Sequence, residues 1–258
     1  MKVLIMLESL ECRRLFSGNV TVVVSDGLLA VVGDAGSNSI SLMTPIANDY
    51  LIITGRDGTT VNGDSSLHIF TYPNPSQPFD RASIRMGDGD DRVFVYSYPS
   101  PEPVSIDLGA GSDRLDFENS DVTSMDVFGG DGNDQIYFRN VSATRRLRIF
   151  AGGGADTTGL RNVDVPRGFD LSDSGTKSRI GLIEVNARSS ARPSSYIGTG
   201  NSRDMVEIAD CRFSGLSVRL RGGDDGLFID RTVWSRPDVS LDADDGGNTI
   251  YIDGTTPS

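Results

Sequence analysis

Val127-Phe128-Gly129-Gly130-Asp131-Gly132-Asn133-Asp134-Gln135-Ile136-Tyr137-Phe138 is the stretch whose reading decides the fold. Apolar residues alternate on both sides of a glycine-rich centre, and a period of two means strand, turn, strand. The glycines supply the positive φ that a sharp corner needs. The same pattern reads Ile106 to Phe117 around Gly109-Ala110-Gly111-Ser112-Asp113, and Ile84 to Val95 around Gly87-Asp88-Gly89-Asp90-Asp91. Downstream copies run Ile149 to Leu160, with Asp156 at the corner, and Val218 to Ile229, with Asp225. Weaker copies precede Ile40, Val206 and Ile250, while those before Leu67 and Ile180 have Ser65 and Ser178 in place of the Asp.

The first inward residue after each corner sets the period: Ile40, Leu67, Val93, Leu115, Ile136, Thr158, Ile180, Val206, Leu227 and Ile250. Successive spacings are 27, 26, 22, 21, 22, 22, 26, 21 and 23. A repeat of this length is one supersecondary unit that buries its apolar face only by stacking on its neighbours. The expected fold is therefore all-β, a parallel β-helix (β-solenoid) of about ten coils of roughly 22 residues, filling residues 19–258 as one domain. Ten strands at about 4.8 Å spacing make a rod of roughly 45–50 Å. Residues 1–25 are expected to cap one end, since an open parallel sheet leaves an unpaired edge. Pro- and Ser-rich insertions at 72–78, 98–103 and 186–195 read as loops on the side of the rod.

A second column follows four residues after the inward position: Asn119, Asn140, Asn162 and then Asp210. Asn tolerates left-handed backbone and bonds an identical amide one coil away. Val122, Val141, Val163, Phe213 and Val233 follow it and suggest a short third side. Such a column resembles the asparagine ladder of right-handed parallel β-helices of the pectate-lyase kind. The resemblance implies the right hand of the coil and says little about function.

Gly129-Gly130-Asp131-Gly132-Asn133-Asp134-Gln135-Ile136-Tyr137 is similar to the calcium-binding nonapeptide of repeats-in-toxin proteins. That likeness implies Ca²⁺ held by turn oxygens, with Asp88, Asp90, Asp91, Asp113, Asp131, Asp134 and Asp156 as the candidate ligands. Stacked carboxylates about 5 Å apart repel by about 1 kcal/mol in water and about 3 at an effective dielectric near 20. Either divalent cations or backbone N–H groups in each turn must compensate. The pattern departs from the toxin repeats in placing one motif per coil, so only one edge is armed.

The chain carries a net charge of −12, which argues against nucleic-acid binding. No apolar run is long enough for a membrane span. Its two cysteines, Cys12 and Cys211, form no CxxC pair and read as idle thiols, and the single His68 excludes a multi-His metal site. Leu7-Glu8-Ser9-Leu10-Glu11-Cys12-Arg13-Arg14-Leu15-Phe16-Ser17-Gly18 resembles the N-terminal signature of planctomycete extracellular proteins, with Phe16 and Gly18 as mild departures. The resemblance makes residues 1–18 an export or surface signature and implies an extracellular or cell-surface location.

Two functional expectations follow. The first is a secreted or surface-attached structural or adhesion module, calcium-stabilised, meeting extracellular polysaccharide or cell-surface components. The second is an extracellular polysaccharide lyase or hydrolase, for which Arg145, Arg146, Arg148 and Arg161 and the carboxylates of Asp88, Asp90 and Asp91 are the candidate groups. Every one of these residues is already explained by the repeat or by an outward strand position, which favours the first. Trp234 is expected to pack in the core or at an edge, and Tyr72, Tyr96 and Tyr98 to offer a contact surface.

Overall fold

The computed structural model describes residues 18–45, 50–71, 79–100, 103–188, 195–235, 239–254 and 256–257. Every regular element among them is a β-strand, and all belong to one continuous stacked sheet. The first eight strands are β1 (Asn19–Ser25), β2 (Leu28–Val32), β3 (Ser39–Met43), β4 (Tyr50–Gly55), β5 (Thr60–Val61), β6 (His68–Thr71), β7 (Arg81–Arg85) and β8 (Arg92–Tyr96).

Each coil runs strand, glycine-rich corner, strand. Before the corner, Val31, Ile84, Ile106, Val127, Ile149, Leu171, Ile197, Val218 and Leu241 stack in parallel register. After it, Ile40, Val93, Leu115, Ile136, Thr158, Ile180, Val206, Leu227 and Ile250 do the same. Inside the rod these side chains are almost wholly buried, so alternate residues of every strand form one linear core. The rungs at both ends belong to incomplete coils, and the stack amounts to about seven turns of about 22 residues.

That is fewer than the ten coils expected, and Leu67 accounts for part of the difference. It is exposed, not a rung. The coil of Ile40 stacks directly on that of Val93. Between them, β4 pairs antiparallel with β3, and β6 antiparallel with β4. On the other face, β1 folds back antiparallel on β2 through Asp26-Gly27, whose φ values of 48° and 73° make a tight hairpin turn, and β5 adds parallel to β1. These strands cover the N-terminal edge of the parallel stack. The cap is thus built partly from β1, inside residues 1–25, and mostly from the segment read as a coil. The apolar alternation of β4 and β6 is the same for antiparallel and parallel pairing, so the period alone did not separate them.

The third side exists but holds two columns. Val141 pairs with Val163 and Val163 with Val185, whereas Val122 pairs with Ala143, and Ala187 with Phe213 and then Trp234. Trp234 packs against the core, as expected. The asparagine ladder is present: Asn140 Nδ2 donates to Asn119 Oδ1 at 2.9 Å and Asn162 Nδ2 to Asn140 Oδ1 at 2.8 Å. Asn119, Asn140, Asn162 and Asp210 all have φ of 50–55°. Beyond it the column changes chemistry, and Arg231 grips the Asp210 carboxylate with two bonds of 2.8 Å.

The segments at 1–17, 72–78 and 189–194 lie outside the described residues, and with them the export signature, Cys12, Tyr72 and most of two predicted loops.

Candidate functional site

The corner carries the chemistry. Gly130 has φ of 110°, and a Cβ on it would fall 1.7 Å from the carbonyl oxygen of Gly109 in the preceding coil. Only glycine lets consecutive corners approach this closely. Two columns then rise along the corner. In the inner one, each backbone N–H donates to the carboxylate of the next coil. Asn38 donates to Asp91 Oδ1 (2.6 Å), Asp91 to Asp113 (2.7 Å), Asp113 to Asp134 (2.9 Å) and Asp134 to Asp156 (2.8 Å). The relay resumes with Ser178 to Asp204, Asp204 to Asp225, and Asp225 to Asn248. The outer column runs in the opposite sense: the Ser112 amide donates back to Asp90 Oδ1, Ala155 to Asn133 Oδ1 and Gly247 to Asp224 Oδ1.

Each of these aspartates uses one oxygen in this way, Asp173 takes the Gly175 amide of its own coil on Oδ1 at 2.7 Å, and all leave the other oxygen alone. The Oδ2 atoms of Asp91, Asp113, Asp134, Asp156, Asp173, Asp204 and Asp225 are all buried with no hydrogen-bond partner. A buried carboxylate lacking partners favours its neutral form. Burial is the leading cause that pushes Asp113 up to about 8 and Asp91 to about 7, against the pull of the donated amides. Asp134, Asp156, Asp173 and Asp204 rise to about 6 for the same reason, and neighbouring column members add to it.

Asp173 was not among the predicted residues. It lies one residue beyond the Phe150–Ser172 pair, at the position that Met86, Leu108 and Ala151 take in earlier coils. Its coil is the one with Ser178 in the aspartate column, so a carboxylate enters from the opposite strand where the corner lacks one. Its charge acts on Asp134 and Asp204, making the row continuous from Asp91 to Asp225. An aspartate at an inward position, in the coil missing its corner Asp, was the available signal.

Of the predicted metal ligands, the structure brings Asp91, Asp113, Asp134 and Asp156 into this buried row. Asp88, Asp90 and Asp131 sit on the exposed outer rim. An all-oxygen row with spare acceptors offers the donor type that Ca²⁺ takes, two carboxylates from two coils at each step. Among the described residues no three such groups converge on one point, so further oxygens would come from backbone or water.

Comparison with family models, curated proteins and solved structures returns no match.

The remaining candidates are accounted for by packing. Arg148 grips Asp126 through Nε and Nη2 at 2.7 and 2.5 Å, and Arg146 reaches the same carboxylate at 3.2 Å. Arg145 and Arg161 are exposed on outward positions. Tyr96 is exposed and stacks with Phe94, but Tyr98 is buried, which removes it from any contact surface. The Cys211 thiol is unpaired and burial pushes it up to about 12, so it is inert at neutral pH. His68 is a half-buried residue of β6. Among the described residues no helix is long and apolar enough to cross a membrane.

Proposed function

We propose that the protein is a secreted or cell-surface β-solenoid with a structural or adhesion role, whose corner column takes Ca²⁺. The observation that supports it most is the relay itself. Six corner aspartates each hold the amide of the preceding coil, so the repeated acids serve coil-to-coil attachment. Calcium fits this reading because the orphaned Oδ2 atoms are unused oxygen acceptors, and a cation there would offset the charge that burial otherwise suppresses. Asp91, Asp113, Asp134 and Asp156 are the residues that would hold it. Placement outside the cell rests on the resemblance of residues 7–18 to an extracellular signature.

A panel of extracellular polysaccharides tests the role, scored for both binding and chain cleavage. Binding without cleavage is expected. Detectable cleavage would overturn the structural reading in favour of a lyase or hydrolase.

A further inference from the structure

The rod departs from its period at the β4–β5 connection, and a cleft of about 500 Å³ opens there. It lies between that connection and the outward faces of the Ile40, Val93 and Leu115 coils. Its walls include Arg56, Arg92, Phe94, Arg114 and Asp116.

The connection is held firmly. The Arg56 amide donates to the Ser39 carbonyl at 2.7 Å, the Thr59 amide to the Arg56 carbonyl at 2.9 Å, and the Ser39 hydroxyl to Asp57 Oδ2 at 3.0 Å. The Arg56 guanidinium lies over the Phe94 ring, 5.6 Å from its centre, which fixes its direction without using its five N–H donors. On the far wall Arg114 is spent: it grips Asp116 through Nε and Nη2 at 2.5 and 2.9 Å and gives Nη1 to Gln135 Oε1 at 2.8 Å. Its bond to Asp116 also cancels that carboxylate. Arg92 is exposed on the outward face of β8. Among the described residues neither Arg56 nor Arg92 has an ion-pair partner. Two unspent guanidinium forks on one cleft stand out in a chain of net charge −12. Ser112 and Asn133 add hydroxyl and amide groups to the lining, and the two further carboxylates there are engaged, Asp57 by the Ser39 hydroxyl at 3.0 Å and Asp113 by the Asp91 amide at 2.7 Å.

We infer that this cleft binds an oxyanion carried on a hydroxylated ligand, namely a sulfate, phosphate or carboxylate group on a glycan, with Arg56 and Arg92 as its ligands. Planar guanidinium groups match such anions through paired N–H donors. The volume is that of a small-ligand site. The inference supplies a ligand class for the adhesion role proposed above, and its two ligands, Arg56 and Arg92, are not members of the corner column.

Calorimetry on the full chain tests it, with inorganic sulfate, inorganic phosphate, a sulfated polysaccharide and its desulfated form as probes. The sulfated polysaccharide is expected to bind and the desulfated form not. Arg92→Gln and Arg56→Gln are each expected to weaken binding about tenfold, while Arg146→Gln on another face leaves it unchanged. Sulfate or phosphate binding as tightly as the polymer would support the oxyanion site and assign it to the free ion. No oxyanion binding at millimolar concentration, or binding indifferent to both cleft variants, would overturn the inference. Either result leaves the corner column untouched, and a lost calcium effect would leave the cleft untouched.

Discussion

Asp113 accepts the Asp91 amide on Oδ1 at 2.7 Å, while its equally buried Oδ2 meets no partner. The two oxygens of one side chain have different jobs, and substitution separates them. Asparagine keeps the acceptor and removes the charge. The chain itself uses asparagine at the column's last step, where Asn248 Oδ1 accepts the Asp225 amide at 2.9 Å. Asp113→Asn is expected to match or exceed the parent in melting temperature at pH 8. Asp113→Ala strands the Asp91 amide and is expected to cost about 1–3 kcal/mol. Equal losses in the two variants, measured by chemical denaturation, would show that the amide bond is not what the residue supplies.

The column also sets the pH dependence. Folded carboxyls near 6 to 8 stand above the ordinary 3.8, so between these values the folded state binds more protons than the unfolded one. The stability they confer is complete below about 3.8 and is lost as pH rises through 6 to 8. A rise from 3.8 to about 6, as at Asp134 and Asp156, corresponds to about 3 kcal/mol per carboxyl. Without divalent cations, the melting temperature is expected to fall from pH 5 to pH 8.5, opposite to the trend of proteins held by salt-bridged carboxylates. A melting temperature that rises across this interval would contradict the burial of charge in the corner.

Glycine positions divide cleanly. Gly130→Ala puts a methyl 1.7 Å from the Gly109 carbonyl at a φ of 110°, and is expected to cost several kcal/mol. Gly153→Ala, one residue beyond the equivalent corner of the next coil, meets nothing nearer than Asp131 Oδ1 at 3.7 Å. It is expected to be neutral within about 0.5 kcal/mol. Comparable unfolding free energies for the two would mean the corners are looser than the structure has them.

The Asn ladder gives a third contrast. Asn140 donates to Asn119 and accepts from Asn162 at a φ of 54°. Asn140→Gly keeps the backbone conformation at little strain but loses both bonds, whereas Asn140→Ala loses the bonds and adds left-handed strain. Alanine is expected to be worse than glycine by about 1 kcal/mol. Thermal melts that rank them the other way would remove the ladder's conformational role.

Much of this was legible from the chain. The spacing of Val93, Leu115, Ile136 and Thr158 gave the coil length because stacked coils repeat one register, and Asn119, Asn140 and Asn162 kept to it. Leu67 misled because strand alternation has no sense of direction, and Ser65 in place of the corner Asp gave no warning, since the true coil of Ile180 has Ser178 there. The buried row was read only in part. Asp88, Asp90 and Asp131 looked equivalent to Asp91 and Asp134 by composition, yet a one-residue step around a corner exchanges inside for outside. Asp173 escaped because it reaches the row from the other strand, and that is visible only once the coils are stacked.

The buried aspartate row is tested most directly by a ¹³C carboxyl NMR titration of the full chain, with and without millimolar Ca²⁺. Asp113 and Asp91 are expected to titrate near 8 and 7 without calcium, and Asp134 and Asp156 near 6. All four should move downward once calcium is added, because a bound cation favours the charged form. Four ordinary carboxyl titrations near 4, unmoved by calcium, would contradict the account.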